Sequence, residues 1–370
     1  MSGKNVVEVQ NLSVKFYTYA GVVEALDGVN IAIREGEILG LVGETGCGKS
    51  VTSLSILMLV PPPGKIEGGN IRLDTRGGVD ILAMDDASLR SIRGKDIAMI
   101  FQEPRAYLNP VYDVDDQISE IILVHRLPEF LNKAAQTLET KKRRGFESNV
   151  YRRLAKNPGS WAARFISRFS RKRQFQKEVK EEVVRILKSV EIPDPERVAR
   201  MYPHELSGGM AQRAVIAMAL ACNPTMLIAD EPTTNLDVTV QAQILNLVKL
   251  LRDNLKSAIL YITHDLGVVA QVCDRVAVMY AGNVVETADV FELFDSPMHP
   301  YTRALLESIP RPGKAFKSIP GLVPSLIDPI SGCRFRDRCQ YAMEICRKVK
   351  PPFDQAKKDH FVACYLYGGS

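Results

Sequence analysis

Several short runs of the chain are apolar at nearly every position: Ile38 to Val42 (ILGLV), Ile97 to Phe101, Met226 to Ala229, Ile259 to Thr263 and Val276 to Tyr280. Continuous rather than alternating hydrophobicity predicts strands covered on both faces of a parallel sheet. Val6 to Phe16 alternates in part, and it and Gly28 to Arg34 read as further strands. Ser50 to Val60 predicts a buried helix stopped by Pro61, Pro62 and Pro63. Such strands separated by helices indicate an α/β, doubly wound core. Asp116 to Arg200 is mostly helical in pattern and interrupts the strands, so it is expected to form a subdomain. After Tyr301 the periodicity fades into a linker punctuated by Pro310, Pro312, Pro320, Pro324 and Pro329, followed by a cysteine segment from Cys333 to Cys364.

At 370 residues, this pattern fits two domains, or one large domain with an appendage. The formal net charge of +5 is too mild to imply nucleic-acid binding. Charge is unevenly spread, however: His125 to Lys180 holds 16 Lys/Arg against four Asp/Glu. The N-terminus lacks the pattern of a signal peptide, and the longest apolar run, Ala214 to Cys222, is nine residues, about half of a bilayer span. The expected location is therefore cytosolic, with any membrane association made through partners or the surface. Seven cysteines in such a chain argue against a disulfide framework. Cys222 and Cys273, in apolar stretches, are expected as core thiols.

The chemistry begins at Gly43-Glu44-Thr45-Gly46-Cys47-Gly48-Lys49-Ser50, which matches the P-loop spacing and lies between a predicted strand and a predicted helix. Glycines let backbone N–H groups turn inward around phosphate oxygens, and the helix N-terminus adds its dipole. Lys49 is suited to neutralise the β- and γ-phosphates and Ser50 to ligand Mg²⁺. The Met226 strand ends in Asp230 and Glu231, which it delivers to the sheet's C-terminal edge. Asp230 fits the Mg²⁺ shell, and Glu231 the carboxylate that polarises the attacking water.

Leu206 to Arg213 (LSGGMAQR) sets a second anion cradle, Ser207-Gly208-Gly209, before a helix. It resembles the signature loop of ATP-binding cassette (ABC) proteins, in which this cradle closes over ATP held by the opposite subunit; Met210 stands where Gln is commoner. That resemblance implies a P-loop ABC core, a RecA-like parallel sheet plus an antiparallel β subdomain, with an inserted helical subdomain. It further implies roles for Gln102 as the Q-loop residue sensing Mg²⁺ and water, for His264 as the switch histidine, and for Asp237 in a D-loop that carries Asn235 where Ala is usual. Phe16 matches the aromatic stacked on adenine, with Tyr17 and Tyr19 as rivals. The implied catalytic set is Glu231, His264, Lys49 and Gln102, acting in two subunits closed around two ATP.

Phe101 to Pro110 (FQEPRAYLNP), the segment HPYTRALLESIP and the cysteine-rich tail resemble oligopeptide/dipeptide-type importers. The resemblance implies a distinct paralogous ATPase subunit, two transmembrane permease subunits, an extracytoplasmic solute-binding protein and a peripheral position on the cytoplasmic face of the membrane. Peptide is the implied cargo, with oligosaccharide as runner-up and a non-transport ABC ATPase as the distant alternative. The expected division is a cassette over 1–310, containing a helical subdomain over about 103–205 and a basic insert over about 126–180, then an extension over 311–370.

Cys333, Cys339, Cys346 and Cys364 are separated by 5, 6 and 17 residues. Four thiolates suit zinc or an iron–sulfur cluster; these gaps are wide for zinc, the resemblance points to a [4Fe–4S] cluster, and unliganded thiols are the third reading. Within the insert, Trp161, Phe165 and Phe169 recur every four residues among Arg164, Arg168, Arg171 and Lys172. That predicts a basic amphipathic helix, either touching anionic lipid head groups or packing its aromatics on the helical subdomain.

Overall fold

The computed structural model describes residues 4–140, 145–156, 173–234, 236–309, 318–327, 329 and 331–367. Trp161, Phe165, Phe169 and their neighbouring cations, Asn235, Pro310 and Pro312 lie outside the described residues.

The chain divides into two compact units, the first formed by 1–90, 225–231 and 245–370. It opens with β1 (Asn5–Thr18), β2 (Gly21–Arg34), β3 (Ile38–Val42), β4 (Gly64–Leu73) and β5 (Val79–Asp80). The long strands β1 and β2 pair antiparallel through register shifts, and β1 takes β4 on its other edge, giving the sheet order β2-β1-β4-β5. Val7, Val9, Leu12 and Val14 of β1 are buried, while its last two residues are exposed.

Later in the chain come β6 (Ile97–Ile100), which belongs to the other unit, then β7 (Met226–Asp230), β8 (Ala258–Ile262), β9 (Arg275–Tyr280) and β10 (Asn283–Asp289). β11 (Asp354–Lys357) and β12 (His360–Val362) close the set. The first unit's second sheet runs β11-β12-β10-β9-β3-β8-β7. β9, β3, β8 and β7 are mutually parallel, and β10, β12 and β11 add on antiparallel. Every residue of β3, β7 and β8 is buried, which explains their unbroken hydrophobicity. Each large aliphatic side chain so buried contributes roughly 1.5–3 kcal/mol relative to exposure.

The helix after β3 covers Lys49–Ile56 and ends before the proline run that was expected to stop it. Leu57 caps it, Met58 takes a left-handed backbone (φ 53°), and the Leu59 N–H donates back to the Leu54 carbonyl at 2.8 Å. These bonds satisfy the last carbonyls, so the turn is set by backbone geometry rather than by the prolines.

The second unit comprises 91–224 and 232–244. Its helices include Val114–Thr140, Gly145–Lys156, Arg173–Ser189 and Gly208–Leu220. Ile118, Ile122, Phe130, Leu131, Ala134 and Leu138 form the buried stripe of the first. Arg126 joins three of these segments: its Nη1 donates to Glu182 Oε1 and to the Ala221 carbonyl, both at 2.9 Å, and the guanidinium lies 5.1 Å from the Phe130 ring centroid. Arg126 of the basic stretch is thus engaged in helix packing.

Candidate nucleotide site

The register of the central strands decides what meets at the sheet edge. Ile262 of β8 stands opposite Leu41 of β3 and opposite Asp230 of β7. One or two residues beyond these lie Gly43, Glu231 and His264, so three distant stretches of sequence place their polar residues along one C-terminal edge. This is the position at which open parallel sheets take ligands.

Gly43 has φ 154°, and a Cβ there would sit 2.1 Å from the Met279 carbonyl oxygen, so only glycine fits. Around Gly46, by contrast, a Cβ would meet nothing within 4 Å. Lys49 is buried, and its Nζ donates to the carbonyls of Gly43 (2.8 Å) and Glu44 (3.1 Å) and approaches Cys47 Sγ at 3.8 Å. The lysine charge is therefore held against the loop it serves. Glu44 is occupied on two sides: its N–H donates to Tyr301 Oη at 3.0 Å, and Arg338 grips its carboxylate at 2.7 and 3.0 Å. Cys47 is buried behind the loop, where burial pushes its thiol up.

Ser50 hydrogen-bonds the Asp230 carboxylate, whose pKa is raised chiefly by burial, with the neighbouring Glu231 charge acting in the same direction. A hydroxyl and a carboxylate side by side form an all-oxygen donor pair, which suits Mg²⁺ completed by water and phosphate oxygens. Glu231 takes a left-handed backbone (φ 47°), its N–H donating to the Ile262 carbonyl at 2.9 Å. That turn brings its Oε1 to 3.0 Å from Nδ1 of His264. The predicted adenine residue Phe16 is half-buried on β1, where its ring lies against Gly64. Tyr17 donates to Glu67 at 2.8 Å, and Tyr19 is fully exposed.

The second unit carries the remaining expected residues. Ser207 caps the Gly208–Leu220 helix, its Oγ accepting the Met210 N–H at 3.3 Å, and lies exposed with Gly208. Arg105 donates to the Leu206 carbonyl at 2.8 Å, tying the stretch after Gln102 to the Ser207 loop. Gln102 itself is exposed just beyond β6. Asp237 accepts the Val240 N–H at 2.9 Å, so its carboxylate works as a helix cap.

Residues 26–234 match the family described as ABC transporter. The chain belongs to this family. A second match, to the family described as "Oligopeptide/dipeptide transporter, C-terminal region", covers residues 285–346. This ABC ATPase is 44% identical over 364 residues to "Probable peptide ABC transporter ATP-binding protein y4tR" of Sinorhizobium fredii, covering 97% of this chain and 94% of that one. It is 42% identical to "Oligopeptide transport ATP-binding protein OppD" of Bacillus subtilis, covering 97% and 88% of the two chains. Among solved structures it resembles MJ0796, a bacterial ABC transporter cassette solved as a dimer, with TM-score 0.56 and 25% identity over 77% of this chain and 98% of that one.

The cysteines of the ABC ATPase's tail come together at one place. Cys333, Cys339, Cys346 and Cys364 are free thiols lining one small cavity with Phe335, Pro351 and Leu366. Among the described residues no group of three or more His, Cys, Asp or Glu is placed to hold a metal ion. Burial pushes Cys333 up to about 11 and raises Cys339 and Cys364. Sequence reasoning also missed Arg338 and Tyr301 as neighbours of the P-loop. The conspicuous signal was the HPYTR segment, to which no role was given.

Proposed function

We propose that this ABC ATPase couples the binding and hydrolysis of MgATP to the import of peptides. The observation that carries the reading is the joint presence of a hydrolytic residue pair, Glu231 with His264, and a C-terminal region matching oligopeptide/dipeptide transporters. MgATP supplies the phosphoryl group and its charge-neutralising cation. Lys49 and the inward N–H groups after Gly46 hold the phosphates, and Ser50 with Asp230 holds the cation. Glu231 accepts a proton from the attacking water, and His264 fixes the carboxylate's orientation. Gln102, the Ser207-Gly208-Gly209 cradle and Asp237 complete the site when two subunits close on nucleotide, and Phe16 is the surface for the adenine.

The proposed partners are a second ATPase subunit, two permease subunits and an extracytoplasmic solute-binding protein, with the chain peripheral on the cytoplasmic membrane face. No described helix is long and apolar enough to cross a membrane, so the spanning parts are assigned to those partners. We read 1–310 as the cassette and 311–370 as the extension. A [4Fe–4S] cluster in that extension is a further proposal, supported by four cysteines facing one cavity; iron-free, colourless protein after anaerobic purification removes it.

Uptake of labelled peptides and oligosaccharides by cells lacking this chain tests the cargo. Peptide uptake is expected to vanish and to return with the wild-type chain but not with Glu231→Gln. Loss confined to oligosaccharide uptake would overturn the peptide reading.

A further inference from the structure

We infer that the cysteine-rich extension sets the geometry of the phosphate loop through Arg338, a positioning residue that acts on Glu44. This rests on the P-loop being the ATP site, as proposed above.

Arg338 and Glu44 are 294 residues apart, and their side chains are 5% and 26% exposed. The guanidinium is fully subscribed. Its Nε donates to the Pro320 carbonyl at 2.9 Å. Nη1 reaches Glu44 Oε2 at 2.7 Å and Tyr280 Oη at 3.3 Å, while Nη2 reaches Glu44 Oε1 at 3.0 Å and the Ile319 carbonyl at 3.4 Å. Five donors meet five acceptors, in a fork whose geometry no other side chain reproduces. The same group lies over the rings of Tyr280 and Phe335, at 5.7 and 6.0 Å from their centroids. Its position is thus fixed before it meets Glu44, so the pair loses little side-chain entropy on forming. That separates it from the exposed ion pairs that contribute almost nothing.

Glu44 passes the constraint on. Its carboxylate is held by Arg338, its N–H by Tyr301, and its carbonyl accepts from Lys49 Nζ at 3.1 Å. The residue whose backbone anchors the phosphate-binding lysine is therefore clamped from the C-terminal part of the chain. A second arm runs in parallel. Arg334, four residues earlier in the extension, donates to the Ala281 carbonyl at 2.6 Å, and the N–H of the adjoining Gly282 donates to the Cys47 carbonyl at 2.8 Å. Arg338 thus meets the P-loop directly at Glu44, and Arg334 braces the Ala281-Gly282 turn that meets it at Cys47. The extension thus fixes the backbone on which the Lys49 ammonium is held.

The test is MgATP affinity and steady-state ATPase kinetics of the full chain and its variants, with thermal melts as a fold control. Wild-type protein that fails to bind MgATP would sink the nucleotide-site reading itself. Given wild-type binding, Arg338→Ala is expected to raise Kd and KM for MgATP about tenfold while kcat stays within about twofold, as befits loss of one partly buried bidentate pair. Glu44→Gln should do the same, and the double variant should be no worse than either single one, because both remove one interaction. Tyr301→Phe keeps the ring and removes only the hydroxyl, so it retains the fold and should raise Kd about threefold. Unchanged Kd and KM in all three single variants, or fully additive effects in the double variant, would overturn the inference.

Discussion

Nδ1 of His264 lies 3.0 Å from Oε1 of Glu231, joining the residues that follow two adjacent parallel strands. Glu231 reaches this position only through a left-handed backbone, which for a non-glycine residue stores roughly 1–3 kcal/mol of strain. The strain is held by its N–H bond to the Ile262 carbonyl. Its side chain is mostly buried, while His264 is 63% exposed.

Replacing Glu231 by Gln keeps the shape of this pair and removes the proposed proton acceptor. Equilibrium binding of MgATP should stay near the wild-type value, and hydrolysis should fall by about 10²–10⁴-fold, the usual share of a general base. A closed dimer should accumulate on sizing columns in MgATP. Undiminished turnover in the variant would refute the assignment of Glu231.

The signature helix offers a steric prediction inside the second unit. A Cβ on Gly209 would lie 2.9 Å from Cγ1 of Val240, whereas one on Gly208 would meet nothing within 4 Å. Gly209→Ala should therefore destabilise the protein by roughly 1–3 kcal/mol, seen as a lower denaturation midpoint, and Gly208→Ala should not. Adding Val240→Ala to Gly209→Ala removes the clash and should restore most of the loss. Equal stability of the two glycine variants would contradict the packing described.

The tail of the cassette should be acid-sensitive. His299 is fully buried, and burial lowers its pKa to about 4. Its Nδ1 accepts the Tyr301 N–H at 3.0 Å, a cap that needs the neutral ring. Below the unfolded value of 6.5 the unfolded chain binds a proton that the folded chain refuses. Stability is therefore whole above pH 6.5 and is lost as pH falls toward 4, by up to about 3 kcal/mol. Burial acts to raise Glu286, but bonds from His360 (2.7 Å) and from the Met298 and His299 N–H groups help outweigh it and hold the carboxyl below the usual range. That contribution too is present above the unfolded pKa and is lost as pH falls through the folded one. Denaturant melts from pH 7.5 to 4 should show the decline, and His299→Asn should flatten it between 6.5 and 4. A His299→Asn profile parallel to wild type would rule the histidine out.

Much of the site's framework was legible in the sequence because its signals are local. Ile38–Val42 reads as β3 to the residue, and Met226–Ala229 and Ile259–Thr263 fall within a residue of β7 and β8 at each end, since strands buried on both faces need continuous apolar runs. The P-loop is likewise local: Gly43, Gly46 and Gly48 stand where the backbone has positive φ. β4, β10, β11 and β12 were not read from the sequence. β4 and β11 expose alternate or most residues, and their pairing rests on partners far along the chain.

What tertiary structure alone decided is which distant polar groups meet. Sequence placed Glu231 and His264 after strands, but only the register of β7 against β8 sets their 3.0 Å contact. It counted four cysteines, yet their spacing does not express that all four line one small cavity. Arg338 lies within the cysteine-rich segment, but its role was not legible there, because a charged residue's partner is chosen by where the chain returns, 294 residues away, and not by its neighbours. Periodicity and motifs record contacts within a few residues; ion pairs and pKa shifts are set by the three-dimensional surroundings that form only once the sheet is built.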